Sequence, residues 1–238
     1  MIKIGTNGIS DIFIGSTHAK KAYLGTTPIW EYSSGDTGRL PSGYKELEYI
    51  ESTSTGKQYI DLDIKLYETL NTWYDIATKF IVKGPGYDNL QPTLFGCQTT
   101  SNPWPGTFIR MNSIDANNVI GRYIGGSSKD NTLGNKNAIL ELPVRTAPDK
   151  NLYNLNNSNQ THRWGTSLFC TFNSEDKTSV NRYINARLYY FKLFVEGTLV
   201  RDMVPCKDPN NVVGLYDLVN NTFYSSPNGA AFVAGNEI

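Results

Sequence analysis

Asn185 to Cys206, reading NARLYYFKLFVEGTLVRDMVPC, decides the fold. From Ala186 to Val195 only Arg187 and Lys192 interrupt a run of apolar and aromatic residues. The run is too short to cross a bilayer as a helix, and too aromatic and β-branched for an amphipathic one. It reads as a strand covered on both faces. Glu196-Gly197 supply a two-residue turn, and Thr198 to Val204 return as the partner strand. Pro205 has no N–H to give a ladder and is expected to end the pairing. A central hairpin of this kind needs a layer on either side, which predicts a β-sandwich.

Strand signals recur upstream of this hairpin. After Leu40-Pro41-Ser42-Gly43-Tyr44, Glu46 to Thr53 and Gln58 to Ile64 read as two edge strands joined at Thr55-Gly56. In the second, Ile60, Leu62 and Ile64 alternate with the acids Asp61 and Asp63. Trp73 to Val82 follows, broken by Gly84-Pro85-Gly86. Shorter strands are expected over Thr93–Cys97, Thr107–Met111, Asn118–Ile124, Ala138–Val144 and Ser167–Phe172. Gly, Pro and Asn clusters separate them, and helical periodicity is almost absent. The expected architecture of residues 40–238 is all-β, a two-sheet jelly-roll sandwich.

Residues 1–32 are a repeat. Ile4-Gly5-Thr6, Ile14-Gly15-Ser16 and Leu24-Gly25-Thr26 recur at a spacing of ten, each an aliphatic residue, a glycine and a hydroxyl residue. A fixed period means one small element repeated, here a short strand with a glycine turn. So small a segment cannot bury enough surface to stand alone. It is expected to dock against the downstream domain, sister copies or a larger assembly, with Ile4, Gly5, Ile14, Gly15, Leu24, Gly25 and Trp30 as its attachment or oligomerisation residues. The small polar residues of 33–39 read as a linker.

The bulk composition narrows the function. The 22 basic and 22 acidic residues cancel, which argues against nucleic acid held through its phosphates. No basic run suggests a membrane surface. Cys97, Cys170 and Cys206 are odd in number and far apart, and read as buried free thiols of a reducing compartment. Met1 to Gly5 lacks the charged start and apolar core of a secretion signal, so any export is expected by another route.

The opening LPSGYKELEYIESTSTGKQYIDLDI resembles the start of the LamG-like, concanavalin A-like jelly-roll domains of tailed-phage and gut-bacterial proteins. The closing RLYYFKLFVEGTLVRDMVPCKDPNNVVGLYDLVNNTFYSSPNGAAFVAG is similar to the end of the same domains. The N-terminal units, KKAYLGTTPIW being the best formed, resemble a short repeat that opens phage virion proteins. The resemblance implies a virion structural protein, a fibre, decoration or baseplate-associated component, assembled in the host cytoplasm. Its implied partners are capsid, tail or baseplate proteins and sister copies, a homotrimer being preferred.

Catalysis is not expected. Glycoside hydrolysis needs two carboxylates across a cleft, and the glucanases of this architecture carry them as Glu-x-Asp-x-x-Glu. Glu46, Glu48 and Glu51 come nearest, lack the middle Asp, and read as solvated edge charges. His18 and His162 have no further His or Cys at ligand spacing. No Gly-x-Ser-x-Gly elbow accompanies them, and no motif asks for a cofactor. Asp61 and Asp63 read either as solvent-facing acids or as calcium ligands.

Glycan binding is the alternative function. A pyranose needs an aromatic face for its apolar side, with amides and carboxylates for its hydroxyls. Trp104 stands on a proline-stiffened turn beside Asn102; Trp164 follows Gln160, His162 and Arg163; and Tyr87 precedes Asp88. Each tryptophan serves either as a sugar platform or as a cap on the sandwich edge.

Overall fold

The computed structural model describes residues 13–14, 17–18, 21–24, 27–31, 39–53, 55–65, 74–85, 91–98, 106–111, 119–124, 127–142, 165–172 and 176–238. All regular structure among them is β. The described strands of the N-terminal repeat pair as two antiparallel hairpins, β1 (Phe13–Ile14) with β2 (Thr17–His18) and β3 (Lys21–Leu24) with β4 (Thr27–Glu31). Ile14 opposes Thr17 and Leu24 opposes Thr27, so the same position of the ten-residue unit ends the first strand of each pair. The unit around Gly5 lies outside the described residues.

The rest of the chain supplies β5 (Lys45–Glu46), β6 (Ile50–Glu51), β7 (Ile60–Asp61), β8 (Tyr74–Pro85), β9 (Thr93–Gln98), β10 (Gly106–Met111), β11 (Val119–Ile124) and β12 (Ser127–Asn135). Then come β13 (Ile139–Leu142), β14 (Ser167–Leu168), β15 (Thr171–Phe172), β16 (Val180–Asn181), β17 (Ile184–Val195), β18 (Thr198–Lys207), β19 (Val213–Asp217), β20 (Thr222–Tyr224) and β21 (Val233–Ala234). Among the described residues these strands form two large antiparallel sheets, with β15 and β16 paired apart from them. The smaller runs β12-β11-β10-β9-β14-β7, and the larger β13-β8-β17-β18-β19-β20, with β5, β6 and β21 joined alongside.

The sheets pack face to face. Leu94, Phe95, Ile109, Met111 and Leu168 of the smaller sheet share one core with Phe80, Leu188, Phe191, Leu193 and Met203 of the larger. The Phe95 and Phe191 rings meet across the interface at 5.2 Å. Burying each such side chain contributes roughly 1.5–3 kcal/mol, the driving force of the sandwich.

The hairpin β17–β18 holds the centre of the larger sheet, turning at Glu196-Gly197 with both residues at positive φ. Its details correct the sequence reading at several points. β17 is covered on one face only: Ile184, Ala186, Leu188, Phe191 and Leu193 are buried, and the residues between them are half-buried. Pairing with β17 ends at Met203, just short of Pro205, but the proline does not end the strand, because β18 exchanges neighbours there. Beyond Met203 it pairs with β19 and β5, and the Pro205 carbonyl accepts from Leu47 N at 2.8 Å. Gly84-Pro85 does not break β8, which runs on opposite Asn185 and Ile184 and places its proline at the strand's last residue.

The expected single strand Ser167–Phe172 is two. Phe169 takes a left-handed backbone (φ 67°), swings its ring into the core, and separates β14 from β15. The two edge strands expected around Thr55-Gly56 belong to different sheets, β6 pairing with β17 and β7 with β14, so that turn crosses the sandwich.

Candidate functional site

Residues directly opposite one another in the larger sheet define two parallel rows. Leu140, Phe80, Leu188, Ile50 and Ala234 form the row turned to the core. One residue along each strand, Ile139, Ile81, Arg187, Glu51 and Val233 form a row on the outer face. Period-two alternation makes the second row follow from the first.

A β-bulge enriches that outer face in tyrosine. Pairing of β17 with β8 slips between Leu188 and Tyr190, so Tyr189 and Tyr190 together oppose Lys79, and both leave the core. Bulges re-aim side chains in this way. Tyr190 Oη donates to Glu141 Oε1 at 2.9 Å. Burial, and then the Glu141 carboxylate, push its phenol up to about 12. The Tyr189 ring meets the edge of Tyr49 at 5.6 Å, while Lys79 Nζ stands 5.2 Å from the Tyr189 centroid. The Arg187 guanidinium carbon lies 4.5 Å from the Tyr49 centroid, and Arg187 Nε donates to Glu51 Oε2. That hydrogen bond outweighs burial and raises the Arg187 pKa. Cation–π contacts of this kind contribute about 0.5–1 kcal/mol each at exposed sites.

The result is a stripe of three half-buried tyrosines flanked by two cations and two carboxylates. Such a surface offers apolar rings and hydrogen-bonding groups side by side, which suits a hydroxyl-rich ligand with an apolar face. Sequence reasoning missed it. The Tyr189-Tyr190 doublet does not reveal it, because adjacent residues of a regular strand face opposite sides and only the slip in pairing turns both outward.

A second cluster gathers at β7. Lys177 Nζ donates to Asp61 Oδ2 at 2.7 Å and to Asp63 Oδ1 at 3.1 Å. Burial works to lower the lysine pKa, but its hydrogen bonds to Asp61 and Asp63 leave it raised. The carboxylates considered for calcium thus hold an ammonium. Phe172 and Tyr59 pack beside them, 5.9 Å apart edge to face. Gly165 belongs to the same cluster, since a Cβ there would meet Lys177 Cε at 2.8 Å. Among the described residues, no group of three or more His, Cys, Asp or Glu side chains could hold a metal ion.

Two expected edge charges are not solvated. Glu46 is buried on the outer face of the larger sheet and takes an ion pair from Arg39. There Leu40, Val204, Cys206 and Tyr216 form a second small core. Glu51 is half-buried against Arg187, while Glu48 stays exposed and accepts from Asn236 Nδ2 at 3.3 Å.

The loop residues expected to bind glycan, Tyr87, Asp88, Asn102, Trp104, Gln160 and Trp164, lie outside the described residues, as do Ile4, Gly5, Gly15, Gly25 and His162. Ile14 closes β1, Leu24 closes β3, Trp30 sits in β4 opposite Ala22, and His18 closes β2. Comparison with protein-family models, with curated proteins and with solved structures gave no match to this chain.

Proposed function

We propose that this chain is a structural protein of a tailed-phage virion, attached through its N-terminal repeat and displaying the sandwich. The observation that carries the reading is the ten-residue unit itself. β1 with β2 and β3 with β4 are two successive hairpins, and neither has a strand partner outside itself among the described residues. Isolated two-stranded hairpins are marginal in water, so these require a surface to complete them.

The geometry of the sandwich agrees with attachment at one corner. Arg39, at the linker's exit, pairs with Glu46, and Ile238 N donates to the Glu46 carbonyl at 3.2 Å. Glu237 bridges Leu47 and receives Lys207 at 2.9 Å. Arg39 and Ile238 therefore both meet Glu46 at one corner of the larger sheet. The jelly-roll connectivity and the trimer rest on the resemblance of the opening and closing segments, and fibre, decoration and baseplate roles all satisfy it.

The test is incorporation. Full-length protein is expected in purified particles, and a chain lacking residues 1–32 is expected to fold but stay out of them. Light scattering is expected to give three copies for the full chain and one for the truncated chain. Particles that incorporate the truncated chain equally well would overturn the anchoring role.

A second reading, recognition of a host surface glycan, is favoured by the tyrosine stripe of Tyr49, Tyr189 and Tyr190. Binding on an array of host polysaccharides that disappears in Tyr49→Ala and Tyr189→Ala supports it. Binding that survives both but fails in Trp104→Ala or Trp164→Ala moves the site to the loops, and no binding at all removes this reading.

A further inference from the structure

Near the C-terminal end of the sandwich, Ser226-Pro227-Asn228-Gly229 forms a tight turn in which Gly229 N donates to the Ser226 carbonyl at 3.1 Å. Gly229 has φ +77°, and a Cβ there would meet nothing within 4 Å. The left-handed backbone, rather than space, requires glycine. That requirement puts glycine directly after an asparagine. A glycine nitrogen, with no Cβ beside it, is sterically free to attack a preceding carboxamide once the turn opens.

In that reaction Gly229 N gives its proton to base and bonds to Asn228 Cγ. The side-chain amide nitrogen takes up a proton and leaves as ammonia. Water then opens the succinimide ring to aspartate or isoaspartate. In the fold, each group the reaction must free is engaged. Asn228 Oδ1 accepts from Ser226 Oγ at 2.8 Å and from Ala230 N at 3.0 Å. Asn228 Nδ2 donates to the Lys57 carbonyl at 2.8 Å and to the Gly56 carbonyl at 3.4 Å. The two turns are also tied by Tyr59 N donating to Ser226 Oγ at 3.1 Å and Gln58 Nε2 donating to the Ala231 carbonyl at 2.7 Å.

We propose that Asn228-Gly229 is a conformation-gated deamidation site, closed while the turn sits on Gly56-Lys57 and reactive once it detaches. Conversion is one-way. A carboxylate oxygen in place of Nδ2 faces two carbonyl oxygens, acceptor against acceptor, so the converted turn cannot remake its contacts. The site records opening of this corner of the sandwich, and it does so whatever the protein's role.

The test follows conversion at Asn228 by peptide mass in the full chain, folded and in urea, in the same mildly alkaline buffer. Folded protein is expected to convert at least about tenfold more slowly, because reaction proceeds only through the open fraction. Ser226→Ala removes the hydroxyl shared by Asn228 and Tyr59, and is expected to move the folded rate severalfold toward the urea rate. Asn228→Asp, which carries the aspartate product, is expected to unfold at lower urea. Equal rates in folded and unfolded chain overturn the gating, whether or not Ser226→Ala folds. An unchanged urea midpoint in Asn228→Asp overturns the one-way step.

Discussion

Arg201 reaches from the larger sheet to the edge of the smaller one, donating to the Leu62 carbonyl through Nη2 at 2.8 Å and Nε at 3.2 Å. Its Nε also stands 3.6 Å from Asp217 Oδ2, whose side chain is fully buried. Asp217 in turn accepts from the backbone of Asp202 and Val219 and from Asn220 Nδ2. One guanidinium thus caps carbonyls at an edge strand and neutralises a buried acid. Arg201→Met keeps the stem's packing and removes both functions. It is expected to destabilise by about 3–5 kcal/mol, the usual cost of leaving a buried charge without its partner. Equilibrium urea unfolding reads this directly. Arg201→Lys is expected to recover only part of it, since an ammonium lacks the planar fork that spans Leu62 and Asp217. A Met variant as stable as the parent would mean that Arg201 does not hold the sheets together.

Tyr190 links stability to alkaline pH. Burial and the hydrogen bond to Glu141 hold its phenol up to about 12 in the fold, against about 10 in an unfolded chain. The folded state therefore holds this proton more tightly. The stabilisation is fully present below about pH 10, and it is lost as pH rises from there toward 12. Tyr190→Phe removes this link and, at neutral pH, costs about 1 kcal/mol for the lost hydrogen bond. The difference in urea midpoint between parent and variant is expected to shrink across that alkaline window. The tyrosinate absorbance missing from the variant should belong to the latest-titrating component. A missing component that titrates with the exposed tyrosines would refute the assignment.

Patterning made the sandwich readable where a strand's two sides differ in chemistry. The alternation of Ile60 and Leu62 with Asp61 and Asp63 followed from period two, and the turn at Glu196-Gly197 from a two-residue break between strand-like runs. β12 was not readable, because SSKDNTLGN carries no apolar alternation, and it is a strand through its pairing with β11. Glu46 was misread for a different reason. A carboxylate looks like surface in a sequence unless its partner is visible, and Arg39 becomes that partner only when β5 lies beside β18. The tyrosine stripe depends on a one-residue slip in register, which arises between strands more than a hundred residues apart. Local propensity does not encode it.

The two described free thiols should be chemically silent in the fold. Cys206 is buried in the small second core, where burial first and the nearby Glu46 and Asp208 next push its thiol up to about 12. Cys170 is fully buried, and burial pushes its thiol up as well. Reaction requires the thiolate, so neither is expected to take up an alkylating reagent at neutral pH until denaturant is added. Peptide mapping keeps these positions separate from Cys97. Labelling of Cys206 in the folded protein would show that the Leu40–Tyr216 core opens on its own.

Glycines in the larger sheet offer a paired test of how closely its backbone is approached. A Cβ on Gly214 would stand 2.2 Å from the Tyr224 carbonyl oxygen and 2.8 Å from the Phe223 ring, and the nearest of these is backbone that cannot rotate away. Gly214 lies opposite Cys206 in the β18–β19 ladder, so moving the strand aside disturbs that pairing and the small core together. Gly214→Ala is expected to destabilise by about 1–3 kcal/mol or more, as overpacking does in a close-packed interior. At Gly84 in β8 an added Cβ meets nothing within 4 Å. There the reduced freedom of the unfolded chain is the main effect, and Gly84→Ala is expected to stabilise by about 0.4–1 kcal/mol. The two variants share one chemical change, so opposite shifts in urea midpoint isolate the backbone contact as the cause. Shifts of the same sign and size would mean that β19 and β20 do not pack as closely as Gly214 requires.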